Sequence, residues 1–362
     1  VRHRPLVLVN LSFLSQQPTG ISTYARNLYP HLKPLDPILL TPEPDEDYHC
    51  YPVPKGMSPD RGLWGHGLRL LWTQFQVPSL YRKLRTRLLF SPVPEAPIYS
   101  HCRYVVMVHD LIPLRFPNPR SRLSYYHRFI LPQVVRQARH ILCNSQSTAR
   151  DVVEFFRVPA HRVTPIPLAY DHNHFRLLDL PTRTERPYFI YLGRQDPYKN
   201  LQTLIYAFAA LPNRDDYELW LVGPTDRRYT PQCEHLTREL GIRDSVRFME
   251  YVPYEKLPAL LNQAIALVFP TLWEGFGLPV LEAMACGTPV ITSNVSALPE
   301  VAGDAALLID PYNGAELTAA MNAIATDLNL RENLIQLGLL RASEFSWALT
   351  GQRTLEVLYP FA

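Results

Sequence analysis

The chain has 362 residues, 47% of them hydrophobic and 19% charged, with a net charge of +3; this is an ordinary globular composition, too long for one core and suited to two domains. No run reaches the length of a membrane span, and the start, Val1 to Asn10, lacks the organisation of a signal peptide, so a cytoplasmic location is expected. Five cysteines, odd in number, far apart and without a C-x-x-C pair, argue against both a disulfide framework and a zinc site.

Taken in chain order, short β-rich runs alternate with helical ones. Strands are expected at Leu6 to Val9, Ile38 to Thr41, Leu88 to Ser91, Tyr104 to His109, His140 to Asn144 and Val163 to Pro167. Helices are expected between them at Ile21 to Leu32, Leu123 to Gln137 and Ser147 to Phe156. This half is the basic one: residues 1 to 168 hold 21 Lys and Arg against 10 Asp and Glu, a net +11, whereas the remainder is −8. Its densest stretch, Arg82-Lys83-Leu84-Arg85-Thr86-Arg87, follows Leu68-Arg69-Leu70-Leu71-Trp72, where apolar residues recur at helical spacing. Such a segment suits an anionic membrane surface or an anionic acceptor, and equally a solvated helix face. No nucleic-acid-binding motif is present, and no nucleic acid is expected as a partner.

The stretch Asp171 to Pro187 is polar, charged and carries two prolines, the composition of an interdomain linker. A second set of strands follows at Phe189 to Leu192, Glu218 to Val222, Val246 to Met249, Ile265 to Phe269, Val290 to Thr292 and Ala306 to Ile309. Phe345-Ser346-Trp347 breaks the helical pattern before a last helix, Thr350 to Tyr359, expected to cross back onto the first domain. The alternation implies an α/β protein with two doubly wound parallel sheets. The expected domains are 1–170 with 346–362, a linker at 171–187, and 188–345.

In open α/β sheets ligands bind beyond the carboxyl ends of the strands. Those ends carry Gly20, His109-Asp110 and Asn144-Ser145 in the first half. In the second they carry Gly193-Arg194, Gly223-Pro224, Tyr251-Val252-Pro253 and Glu274. Glu274 and Glu282 bracket Gly275-Phe276-Gly277-Leu278-Pro279-Val280-Leu281, which reads as a turn into a helix from Leu278 to Cys286 with Pro279 in its first turn. The free N–H groups and positive dipole end of such a helix accept a phosphate. Arg194 and Lys199, one of only five lysines, stand at a strand-to-helix junction where cations neutralise a diphosphate; an ion pair with Asp196 is the competing reading. Gly223 would admit close backbone approach by a nucleotide.

These residues resemble a known family. The strings YLGRQDPYKNLQTLIYAF, LWLVGP, VRFMEYVPYEKLPALLNQA, FPTLWEGFGLPVLEAMACGTPVITS and LPEVAGDAALLIDP are similar to the donor domain of the retaining glycosyltransferases of family 4, and TGISTYARNL, VVMVHDLIPLRFP and ILCNSQSTARDV to the mannosyltransferase-like members. The resemblance implies the GT-B fold, two Rossmann-like domains facing a central cleft. It implies that Glu282 binds the ribose hydroxyls of a nucleotide sugar. Glu274 and the backbone of Gly275, Phe276, Gly277 and Leu278 would hold the donor sugar and distal phosphate, with Arg194 and Lys199 on the diphosphate. By the same resemblance Gly193 and Gly223 would line the donor site, and the main chain around Tyr251 to Pro253, with Val252 between them, would meet the base. His109 contacts the C6 hydroxyl of the sugar and stabilises developing positive charge, while Gly20 approaches the donor phosphates or the acceptor. Ser22 stands where the family often has a further glycine.

The implied activity is same-face transfer of a hexose from a nucleotide diphosphate sugar, GDP-mannose before UDP-glucose, to a glycan or lipid-linked acceptor. No cofactor or metal is required in that scheme, since arginine, lysine and a helix N-terminus take the metal's role. The alternatives are a synthase of the same fold with a small soluble sugar or sugar-phosphate acceptor, and an inactive nucleotide-binding scaffold.

Overall fold

The computed structural model describes residues 7–14, 19–57, 62–118, 121–180 and 186–362; of the stretches named above, the first six residues and 181–185 lie outside the described residues. The chain divides into two compact units, Val1–Leu168 with Ser346–Ala362, and Ala169–Phe345.

The first unit is built on strands β1 (Val7–Asn10), β2 (Ile38–Thr41), β3 (His49–Pro52), β4 (Leu88–Ser91), β5 (Tyr104–Val108), β6 (His140–Cys143) and β7 (Val163–Pro165). They form one parallel sheet in the order β3-β2-β1-β4-β5-β6-β7. Strands β1, β2, β4 and β5 are buried along their whole length, as continuous apolar runs covered by helices on both faces must be. Edge strand β3, His-Cys-Tyr-Pro, is half-exposed and mixed in polarity, so no apolar run announces it.

Prolines reshape two of the expected helices. The stretch 21–32 is an α-helix over Gly20–Leu28 that tightens to 3-10 over Tyr29–Leu35, where Pro30 and Pro34 fall. The stretch 123–137 is α over Arg122–Tyr125, widens to a π turn over Tyr126–Ile130, and resumes over Leu131–Gln137. Pro132 has no N–H to donate there, and the Leu131 N–H reaches back to Tyr126 O. A helix of 22 residues, Gly62–Lys83, contains the apolar and basic segment noted in the sequence. The last helix is Trp347–Leu358, three residues earlier than its spacing suggests, because Ser346 Oγ caps it by accepting from the Leu349 N–H at 3.2 Å. It packs within the first unit: Thr350 Oγ1 donates to Pro167 O at 2.8 Å, and a Cβ on Gly351 would lie 2.3 Å from the His31 Cβ.

The second unit holds β8 (Tyr188–Leu192), β9 (Glu218–Val222), β10 (Val246–Met249), β11 (Ala266–Phe269), β12 (Val290–Ser293) and β13 (Leu307–Ile309), all parallel in the order β10-β9-β8-β11-β12-β13. The described part of the expected linker belongs to this unit and is packed on it. His172 Nε2 meets Phe345 O at 2.8 Å, His174 stacks on Tyr254 at 3.9 Å, and Asn262 Oδ1 accepts from the Leu178 N–H at 2.9 Å. In each sheet the strand order reverses once, between β1 and β4 and between β8 and β11. Among the described residues no helix is long and apolar enough to cross a membrane.

Candidate functional site

The carboxyl ends of β8 and β11 are neighbours at the point where the second sheet reverses, the place at which an open α/β sheet leaves a crevice for a ligand. Two loops meet there. The β8 loop runs through a 3-10 turn, Pro197–Lys199, to Asn200, which holds a left-handed conformation with φ 63°. Asn200 Nδ2 donates to Pro270 O at 3.0 Å and to Pro311 O at 2.7 Å, and the Leu272 N–H donates to Tyr198 O at 2.7 Å. These bonds tie the β8 loop to the β11 loop.

Across this seam the Lys199 ammonium meets Glu274 Oε1 at 2.5 Å, with both side chains 12% exposed. The ammonium also lies over the rings of Tyr198 and Phe269, at 5.1 and 5.4 Å. The Glu274 N–H donates to Ser296 Oγ at 3.1 Å. The sequence named Lys199 and Glu274 for separate parts of one ligand, and the fold puts them in direct contact. Asn200 and Ser296 complete the site from outside that set; asparagine's tolerance of left-handed backbone is the signal at 200.

After Glu274 the chain turns through Gly277, φ 105°, into the helix Leu278–Ala285. The φ of 105° strains any other residue at 277, and an added Cβ would also lie 2.7 Å from Leu298 Cδ2, which would have to shift. Pro279 occupies the first turn and carries no N–H, and the Val280 N–H donates to Gly277 O at 3.0 Å, so among the described residues the first-turn donor left over is the Leu278 N–H, at the same end of the sheet as Lys199. The Phe276 side chain is buried, edge-on to Phe345 at 6.1 Å, which leaves its backbone, the part named in the sequence, at the turn. Glu282 sits one turn into the helix, half-buried, and burial pushes its carboxyl up to about 7. Among the described residues its carboxylate has no hydrogen-bond or ion-pair partner.

Gly193 and Gly223 have φ of 148° and 147°, and a Cβ on Gly223 would fall 1.9 Å from Gly193 O. Gly223 thus permits a close approach between the β8 and β9 ends of the protein itself, where the Gly193 N–H continues the ladder to Val222 O at 2.9 Å. Arg194 does not join Lys199: its Nε donates to Asp196 Oδ2 at 2.9 Å and its side chain is 68% exposed. Arg194 thus pairs with Asp196 and keeps an exposed guanidinium, whereas Lys199 pairs with Glu274. Beyond β10, Tyr251 is exposed and Val252 half-buried.

In the first unit His109 follows β5 and is buried edge-on to Tyr24 at 5.0 Å. Its Nε2 lies 2.9 Å from Pro92 O, and burial lowers its pKa. A ring nitrogen facing a carbonyl carries the proton, so this neutral imidazole presents Nδ1 as an acceptor. Gly20 is exposed at the start of its helix, where Thr19 and Ser22 form a reciprocal capping box: the Ser22 N–H donates to Thr19 Oγ1 at 3.2 Å and the Thr19 N–H to Ser22 Oγ at 2.7 Å. That explains a serine at 22 in place of a glycine. One Asp-x-Asp spacing, Asp45-Glu46-Asp47, closes a turn, with Asp45 accepting from Tyr29 OH at 2.8 Å and from the Asp47 N–H at 3.0 Å.

The description "Glycosyl transferases group 1" matches residues 179–339 and "Glycosyltransferase Family 4" matches residues 18–174. The O-antigen chain mannosyltransferase B of Escherichia coli is 34% identical over 258 residues, which are 68% of this chain and 67% of that protein. Several other curated relatives are matched over 33%, 32% and 56% of their own lengths. Among solved structures, the sucrose-phosphate synthase of Thermosynechococcus elongatus aligns with a TM-score of 0.78 at 20% identity over 99% of each chain. Anabaena HepE in complex with UDP and glucose aligns with a TM-score of 0.75 at 17% identity over 98% of this chain and all of its own. The fold is GT-B, and the chain belongs to the group 1, family 4 glycosyltransferases.

Proposed function

We propose that the chain is a retaining hexosyltransferase, with GDP-mannose favoured as donor over UDP-glucose and a hydroxyl of a glycan or lipid-linked glycan as acceptor. The observation that carries this reading is the Lys199–Glu274 contact at the reversal point of the second sheet, beside the helix that begins at Leu278. In this reading the Lys199 ammonium and the helix start serve the phosphates, Glu274 the sugar hydroxyls and Glu282 the ribose. The mannosyl preference rests on the names of the relatives and on the HepE complex only for the presence of a nucleotide and a hexose.

In the step inferred, the acceptor oxygen bonds to the anomeric carbon on the face from which the diphosphate departs. The bond from that carbon to the phosphate oxygen breaks, and the acceptor's proton passes to the departing oxygen, giving a glycoside with retained configuration and a nucleoside diphosphate. Lys199 and the helix N-terminus stabilise the charge that grows on the diphosphate, without a metal. Glu274 and Glu282 bind and position; neither is the acid or nucleophile that a glycosidase pair would supply. The neutral His109 accepts from a sugar hydroxyl through Nδ1. The basic first unit would act at an anionic membrane surface on the cytoplasmic side, where a lipid-linked acceptor resides.

A thermal-shift screen of nucleotide diphosphate sugars tests the proposal. GDP-mannose should raise the melting temperature with concentration, since a ligand that binds only the folded state stabilises it in proportion to its affinity. A screen in which no nucleotide sugar moves the transition would sink it.

A further inference from the structure

The helix Gly62–Lys83 is apolar on two opposite faces. Its inner face is buried through Trp72, Val77 and Leu80 and through Arg69, whose guanidinium grips Glu95 by two bonds of 2.7 Å. Its outer face carries Trp64, Leu68, Leu71 and Phe75, the i, i+4, i+7 and i+11 positions of a single stripe. None of these four is covered: Trp64 is 88% exposed and Phe75 71%. Arg82 continues the same stripe one further repeat on, and Lys83, Arg85 and Arg87 beside it are exposed.

A second exposed band lies on the neighbouring helical run 122–137, which touches the first helix where His66 meets Tyr126 edge-on at 5.6 Å. Here Tyr125 and Phe129 stack at 5.9 Å, Arg128 lies over the Phe129 ring at 5.6 Å, and all three are exposed. Neither 62–87 nor 121–137 contains an aspartate or a glutamate. Large aromatic and aliphatic side chains are therefore held out to solvent on two segments whose own charged side chains are all basic.

We propose that this face docks on an anionic lipid bilayer, with Trp64, Leu68, Leu71 and Phe75 entering the headgroup boundary and the Arg82 to Arg87 cluster resting on acidic headgroups. Charge complementarity selects this occupant: a second copy would set two cationic faces against each other. This deepens the membrane reading made above by naming its surface and contacts. It is tested by binding alone, without sugar transfer, so its failure leaves the transferase assignment standing.

The experiment is co-flotation of the full chain with phosphatidylcholine vesicles, with and without phosphatidylglycerol, across a salt series. The chain should bind the anionic vesicles at low salt and release as salt rises. Trp64→Ser with Phe75→Ser should weaken binding at least about tenfold, as two exposed aromatic anchors are lost. Arg82→Gln with Lys83→Gln and Arg85→Gln should weaken it about fivefold per cation and flatten the salt dependence. Both variants alter exposed positions only and should keep the parent's melting temperature and affinity for GDP-mannose. Absence of binding to anionic vesicles at low salt would overturn the proposal, as would equal binding by the aromatic variant. A wild-type dimer in sedimentation velocity that the aromatic variant disperses would also overturn it, assigning the face to a second copy.

Discussion

Glu282→Gln separates what a residue costs the fold from what it gives the ligand site. In the folded chain burial raises the Glu282 carboxyl to about 7, against an ordinary value of 4.5. The folded state thus holds this proton more tightly than the unfolded state. The group is neutral and harmless below pH 4.5, and the fold loses stability as pH rises from there through 7. A difference of this size corresponds to at most about 3 kcal/mol, at 1.36 kcal/mol for each pH unit, and partial exposure brings the expected value to about 1–3 kcal/mol. Glutamine has the same shape and never ionises. The variant should match the parent near pH 4.5 and exceed it by that amount at pH 8, seen as a rise in the unfolding transition of the second unit of roughly 2–4 °C per kcal/mol. The same variant should bind the donor more weakly at pH 8, by about 10- to 100-fold, because a charged acceptor of hydroxyl protons is replaced by a neutral one. Donor affinity of the parent should climb through pH 7 and that of the variant should not. Thermal unfolding and titration calorimetry with GDP-mannose, each at several pH values, read both effects. A variant no more stable than the parent at pH 8, with unchanged donor affinity, would refute the placement of Glu282 as an unpartnered carboxylate facing a ligand.

Lys199→Met leaves Glu274 without its cation in a site only 12% exposed, so it should destabilise the second unit by about 3–5 kcal/mol, and Lys199→Met with Glu274→Gln should recover most of that in denaturant unfolding. Transfer should fall by roughly 10²-fold or more in both, which a stability defect alone would not produce in the double variant. Gly223→Ala, with its new Cβ 1.9 Å from Gly193 O, should lower stability by about 2 kcal/mol or more through backbone strain, and a variant as stable as the parent would refute the contact. In the first unit, Arg69 beside Glu95 holds that carboxyl down to about 2. That stability is present above pH 4.5 and is lost as pH falls through 2, so Glu95→Gln should flatten the acid limb of unfolding between those values. Transfer activity should persist after dialysis against EDTA, since the diphosphate is assigned to Lys199 and a helix start; abolition with recovery on adding a divalent cation would contradict that assignment.

The sheets were legible because parallel strands buried on both faces are written as unbroken apolar runs, and most of the boundaries read from the sequence lie within a residue or two of the strands. Strand β3 was not, since an edge strand half in solvent has no such run. The interruption of the 122–137 helix depends on where Pro132 removes a donor, and periodicity is blind to that. At the site, the residue types at strand ends were readable and their pairings were not. Lys199 and Arg194 look alike in sequence, yet a left-handed turn at Asn200 carries one to Glu274 while Asp196 keeps the other in solvent. Gly223 shows the same limit: its need for a glycine was visible, whereas the atom that imposes it, Gly193 O, is 30 residues away in the chain. The stripe on the Gly62–Lys83 helix was seen only in part, because Arg69 and Trp72, which belong to the same apolar and basic segment, face the core.

Titration of the chain with GDP-mannose, alongside Lys199→Met with Glu274→Gln, bears most directly on the donor site at the β8 and β11 ends. Saturable binding by the parent at one site per chain, weakened at least about tenfold in the double variant, is the predicted result. Binding of equal strength by both proteins, or none by the parent to any nucleotide diphosphate sugar, would contradict it.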